Sequence, residues 1–72
     1  MNLIGANVKR FREIQQLTQD QLATRCKIEG WNLSRGTLAK IEARVRRVTD
    51  YEVATMAKAL RISVSELFSE PN

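Results

Sequence analysis

Three times in this chain a serine or threonine stands three residues ahead of a glutamine or glutamate: Thr18 with Gln21, Thr49 with Glu52, and Ser63 with Glu66. In such a box the hydroxyl accepts a free backbone N–H of a helix's first turn, and the longer side chain reaches back to the cap. Each box therefore fixes a helix start. The spacing predicts helices from Gln19 to about Ile28, from Asp50 to about Leu60, and a short one through Leu67 and Phe68. Ser34 reads as the cap of another helix, over 35–43, and Ile4, Val8 and Phe11 at i, i+4, i+7 predict a first helix over 3–16. No stretch alternates as a strand would. The expectation is an all-α, compact five-helix bundle, a single domain over 1–72 with a tail at 69–72. At 72 residues its core is close to the smallest that folds unaided.

The apolar stripes follow the same phase. Leu22 and Cys26 line one helix, Leu38, Ile41 and Val45 the next, and Val53, Met56, Ala57 and Leu60 the fourth. Gly30 is a natural stop after the second helix, because it takes the left-handed conformation without a Cβ clash. The face opposite Leu38 and Ile41 is unusual. It holds Gly36, Ala39 and Ala43 between Arg35 and Lys40, where a solvated helix would carry long polar side chains. Small residues between two cations predict close approach to something negatively charged. Charge placement agrees: between Leu33 and Arg47 five basic residues face only Glu42, whereas seven basic and seven acidic residues balance over the rest. The excess positive charge sits on helix 35–43 and the loop after it, an electrostatic footprint for phosphates.

Other function classes fall away on composition. Histidine is absent and cysteine occurs once, so neither a metal set nor a nucleophile–base pair can be assembled, and no catalytic residue, cofactor or small-molecule substrate is expected. Cys26 at core spacing reads as a small buried hydrophobe. No long apolar run could span a membrane, and residues 1–5 show no cleavable signal. With a single cysteine excluding an internal disulfide, a reducing cytoplasm is the expected compartment. Lys9 reads as solvated surface, but Arg12 lies close to the Val8–Phe11 line and calls for an anionic partner. Gln19 has two readings, a phosphate contact at a helix's positive end or simply a good first-turn residue. Trp31, within the stretch from Lys27 to Leu33, has two readings, stacking on a base or packing over the junction with Leu33, and the packing is expected.

The segments IGANVKRFRE, LTQDQLA, LSRGTLAKIE and MAKALRISVSELF, in this order and spacing, resemble the Cro/phage-repressor type of helix-turn-helix domain, the XRE-like family. The resemblance runs from Ile4 to Phe68 and implies a lambda-repressor-like bundle whose helix-turn-helix spans about 18–43. It implies DNA as the partner, with the third helix in the major groove. Arg35, Gly36 and Lys40 match base-facing positions, and Ala39 between them is small enough to touch a thymine methyl. Gln19 matches a phosphate-contacting glutamine, Ser34 and Thr37 match common phosphate or base contacts, and Arg44, Arg46 and Arg47 match backbone contacts. Arg12 and Glu42 match a recurring pair that ties the first helix to the end of the recognition helix. Two departures stand out: about five extra residues, 27–31, in the turn, and Gln16 and Arg61 where the family often has glycine.

The functional expectation is a sequence-specific duplex DNA-binding transcriptional regulator, read as a repressor and not as an enzyme. The rival is a protein-interaction or antitoxin-like adaptor, a role this fold also serves. Val64, Leu67 and Phe68 offer two readings as well, completion of the core or a weak homodimer on a two-fold operator.

Overall fold

A computed structural model describes residues 3–70 as five helices: α1 (Leu3–Ile14), α2 (Gln19–Ile28), α3 (Arg35–Glu42), α4 (Asp50–Leu60) and α5 (Val64–Leu67). Among the described residues there is no strand. Residues 71 and 72 of the expected tail, and the first two residues of the stretch screened for a signal, lie outside them. All three capping boxes form with both reciprocal bonds in place, and Ser34 Oγ accepts the Thr37 N–H at the start of α3. These bonds close within four residues, which is why the helix starts are where the sequence puts them.

Two helix ends come earlier than expected. α1 stops at Ile14 and α3 at Glu42 because the chain turns left-handed just beyond, at Gln16 (φ 58) and Arg44 (φ 65). The carbonyls left over are taken by amides past the turn, Leu17 N–H to Arg12 and Val45 N–H to Lys40, both at 3.0 Å. Val45 is thereby corrected from core to surface. The helical phase that would have placed it beside Ile41 ends three residues before it, and it is 75 % exposed. α2 ends at Ile28 as the sequence predicts, so the first two residues of the stretch from Lys27 to Leu33 belong to the helix and 29–34 link α2 to α3. Gly30, at φ 97, makes the reversal there.

α2 packs against α3 on one flank and α4 on another, while α1 crosses α3, α4 and α5. Leu22, Cys26, Leu33, Leu38, Ile41, Met56 and Leu60 are fully enclosed, with Trp31, Val48 and Ile62 packed around them. Burial pushes the Cys26 thiol up to about 11, so it stays protonated at neutral pH beside Met56, 3.9 Å away. Leu67 is also fully enclosed. Of the three residues weighed for a dimer contact it belongs to the core, leaving Val64 and Phe68 exposed.

Polar bonds from distant parts of the chain pin the bundle. Asn7, fully buried, donates through Nδ2 to the carbonyls of Leu67 (2.8 Å) and Ser69 (2.7 Å), fastening α1 to the end of α5. At the end of α4, Gln15 donates to the Leu60 carbonyl (2.6 Å) and Arg25 to that of Ala59 (3.2 Å). The Arg61 and Ile62 amides take the carbonyls of Lys58 and Ala57. The four C-terminal acceptors that any helix leaves open are thus all occupied.

Candidate nucleic-acid interface

α3 presents two unlike faces. Leu38, Ile41 and Glu42 point inward and are buried, while Arg35, Gly36, Lys40 and Ala43 are exposed and Thr37 and Ala39 half-exposed. Gly36 borders open space. The outward face is therefore smooth along its middle, with Arg35 at the first position and Lys40 in the last turn. A helix of this diameter fits the major groove, and short side chains let its axis come close to base edges.

Beside this face, α1, α2 and α3 enclose a cleft of about 320 Å³ lined by Lys9, Arg12, Gln19, Ala39, Glu42 and Ala43. Ala39 and Ala43 leave it open. The N-terminus of α2 stands at this cleft through Gln19, bringing the unpaired amides and positive dipole end of a ten-residue helix. Lys9 at the rim was read from sequence as plain solvated surface. It lies one turn before Arg12, and that i, i+3 spacing is the signal that could have placed it here.

The floor of the cleft is a three-donor knot on one carboxylate. Arg12 Nε donates to Glu42 Oε2 at 2.7 Å and its Nη2 to Oε1 at 3.1 Å, while Gln19 Nε2 donates to Oε1 at 3.2 Å. Arg12 Nη1 also reaches the Leu17 carbonyl at 2.7 Å. The Glu42 side chain is 4 % exposed and that of Arg12 12 %. The hydrogen bonds to Glu42 raise the guanidinium above its ordinary value despite burial. One residue from each of α1, α2 and α3 meets here, so the knot sets the angle of α3 and the direction of the Gln19 amide together.

The remaining expected contacts are distributed unevenly. Ser34 and Thr37 are joined hydroxyl to hydroxyl at 3.0 Å within the α3 cap. Past α3, Arg44 and Arg47 are exposed. Arg46 instead grips Glu52 with both Nη atoms at 3.1 Å and donates to the Arg47 carbonyl, which folds the basic loop onto the first turn of α4. Its guanidinium is raised by that contact. Glu52 is held below the usual carboxylate range, chiefly by Arg46 and further by the Thr49 N–H it accepts. A carboxylate whose folded-state pKa lies below its unfolded one stabilises the fold above the ordinary carboxylate range, and that stability drains as pH falls through the lowered value. Glu52→Gln should therefore cost about 0.5–1 kcal/mol at neutral pH and nothing once Glu52 is protonated in the folded and unfolded states alike. Parallel urea titrations of the two proteins across the acid range should converge.

No group of metal-binding side chains occurs among the described residues, and no helix is long and apolar enough to cross a membrane. No curated protein and no solved structure matches the chain significantly. A helix-turn-helix family model, however, matches residues 8–67, a span that contains α2, α3, the turn between them and the cleft they line. The chain belongs to the helix-turn-helix family of the Cro/repressor (XRE-like) type, a family of DNA-binding regulators.

Proposed function

We propose that this chain is a transcriptional repressor acting in the cytoplasm, binding duplex DNA sequence-specifically with α3 in the major groove. The observation that carries this reading is the smooth outward face of α3 set beside a cleft that holds the start of α2, Gln19 and Lys9. A groove-reading face and an adjoining phosphate seat are the two parts such binding needs. Arg35 pairs through its fork with guanine O6 and N7, Lys40 reaches a second base, and Ala39 with Gly36 between them meets a thymine methyl or leaves room for the base edge. Gln19, held by Glu42 through one N–H, offers the rest of its amide to a phosphate together with the first amides of α2. Lys9, Arg44, Arg47, Ser34 and Thr37 complete the backbone contacts. Arg46 acts at one remove, by holding its loop against Glu52. Two copies bind a two-fold operator through a weak contact built on Val64 and Phe68, with half-sites about one helical turn apart.

The test is selection of bound sites from a random duplex pool, followed by titrations of two variants on the enriched site and on random duplex. Arg35→Ala should cost about 1–3 kcal/mol on the enriched site and relax preference at one position. Arg47→Ala should weaken both duplexes alike and flatten the salt slope by about one unit. Equal losses from Arg35→Ala on both duplexes would overturn base reading by α3. A pool that yields no enriched site would move the chain to the protein-interaction or antitoxin-like adaptor role. Sedimentation of the complex on an enriched site should give two chains per duplex, and one chain at every concentration would remove the dimer.

A further inference from the structure

On the α4 flank of α2, away from the residues of the α3 cleft, the C-terminal turns of α2 and α4 border a second groove lined by Arg25, Ile28, Glu29, Lys58, Ala59 and Arg61. Three cations face one carboxylate there, in the part of the chain whose charges balance overall. Cations near the end of a helix ordinarily cap its open carbonyls. At α4 that need is already met, because Arg25, Gln15 and the amides of Arg61 and Ile62 take the last four acceptors. The side chains of Lys58 and Arg61 hold no hydrogen bond or ion pair among the described residues. Ile28, 78 % exposed, is the most exposed large aliphatic side chain among the described residues and stands in the same groove. Arg61 also occupies a left-handed position, φ 59, where glycine would fit without strain. Its side chain is thus kept at a cost to the backbone, with no partner among the described residues.

We propose that this groove docks an acidic segment of a partner protein, which sets an apolar side chain against Ile28 and carboxylates against Lys58 and Arg61. Complementary charge selects the acidic partner and orients its approach, and the apolar contact distinguishes it from a free anion. The groove shares no residue with the cleft beside α3, so the partner and DNA occupy the chain at the same time.

The probe is a short synthetic peptide alternating glutamate and leucine, titrated to millimolar concentration into ¹⁵N-labelled protein while amide shifts are followed. Saturable shifts at Ile28, Gly30, Lys58, Ala59 and Arg61, with 35–44 unmoved, are expected, and Lys58→Glu should weaken binding about tenfold. Arg61→Gly is the sharper variant, because its two effects oppose. It should raise the thermal midpoint by roughly 4 °C or more by relieving the left-handed strain, yet lower peptide affinity. Equal shifts from a glutamate–serine peptide or from inorganic phosphate would reduce the groove to a site for small anions and overturn the proposal. Shifts concentrated on 35–47, or none at all, would overturn it as well. Since the readout uses no DNA, failure here leaves the DNA-binding reading intact, and the reverse also holds.

Discussion

Glu42→Ala should destabilise the fold by about 3–5 kcal/mol, the cost of leaving a buried cation without its counter-charge. Three donors converge on this carboxylate, and the pair's side chains are 12 % and 4 % exposed. A lysine stranded in this way could shed its proton. The Arg12 guanidinium cannot, since its pKa is the highest of any side chain even without the rise that Glu42 brings. After the substitution it would keep only the Leu17 carbonyl. Native domains of this kind are stable by only about 5–15 kcal/mol, so the variant should have a visibly unfolded fraction at room temperature. Glu42→Gln keeps the shape and part of the bonding, and should fall between. A double-mutant cycle in urea with Arg12→Ala is the decisive measurement. Coupling below about 1 kcal/mol would mean that the pair behaves as an exposed one, and α3 would then be oriented by packing alone.

The knot at Glu42 also shows where sequence reading stops. The starts of α2 and α4 were legible because their caps, Thr18 with Gln21 and Thr49 with Glu52, are bonds spanning three residues. Every determinant lies inside the window being read. The meeting of Arg12 with Glu42, thirty residues apart, came from family resemblance, and periodicity offered only an arginine too close to an apolar line. Asn7 had no such help. Its partners are carbonyls at Leu67 and Ser69, and a backbone carbonyl leaves no mark in a sequence. The same holds for Gln15 and Arg25, whose acceptors are the end of α4. Val45 failed for a different reason. Its helical phase was right, but α3 had already ended at Glu42 and Arg44 had turned the chain left-handed, at a residue type that gives no warning of it. Within the interface, the outward face of α3 was legible because one helix determines it. Lys9 at the cleft and the capture of Arg46 by Glu52 were not, since each depends on how a second helix or loop is laid against the first.

Gly5 is the residue whose meaning changes most between sequence and structure. Near the start of a helix it reads as tolerated, and intrinsic propensity predicts that alanine there would gain up to about 1 kcal/mol. The packing predicts the opposite sign. A Cβ on Gly5 would fall onto the carbonyl oxygen of Ile41 and crowd Cγ of Arg44 at 3.1 Å. The first of these is backbone in the last turn of α3, so it cannot swing aside as a side chain end would. α1 and α3 would have to separate along their whole contact, and the cost of such overpacking is about 1–3 kcal/mol after any gain in propensity. Separation would also pull Arg12 on α1 away from Glu42 on α3, so the loss should lie at the upper end of that range. Gly36→Ala supplies the comparison, because nothing stands within 4 Å of a Cβ there, and it should gain roughly 0.5–1 kcal/mol. Denaturant midpoints of the two variants should therefore move in opposite directions. If Gly5→Ala instead stabilises the protein, the close approach of α1 to α3 is not a fixed feature of the bundle, and the cleft beside α3 loses its rigid wall.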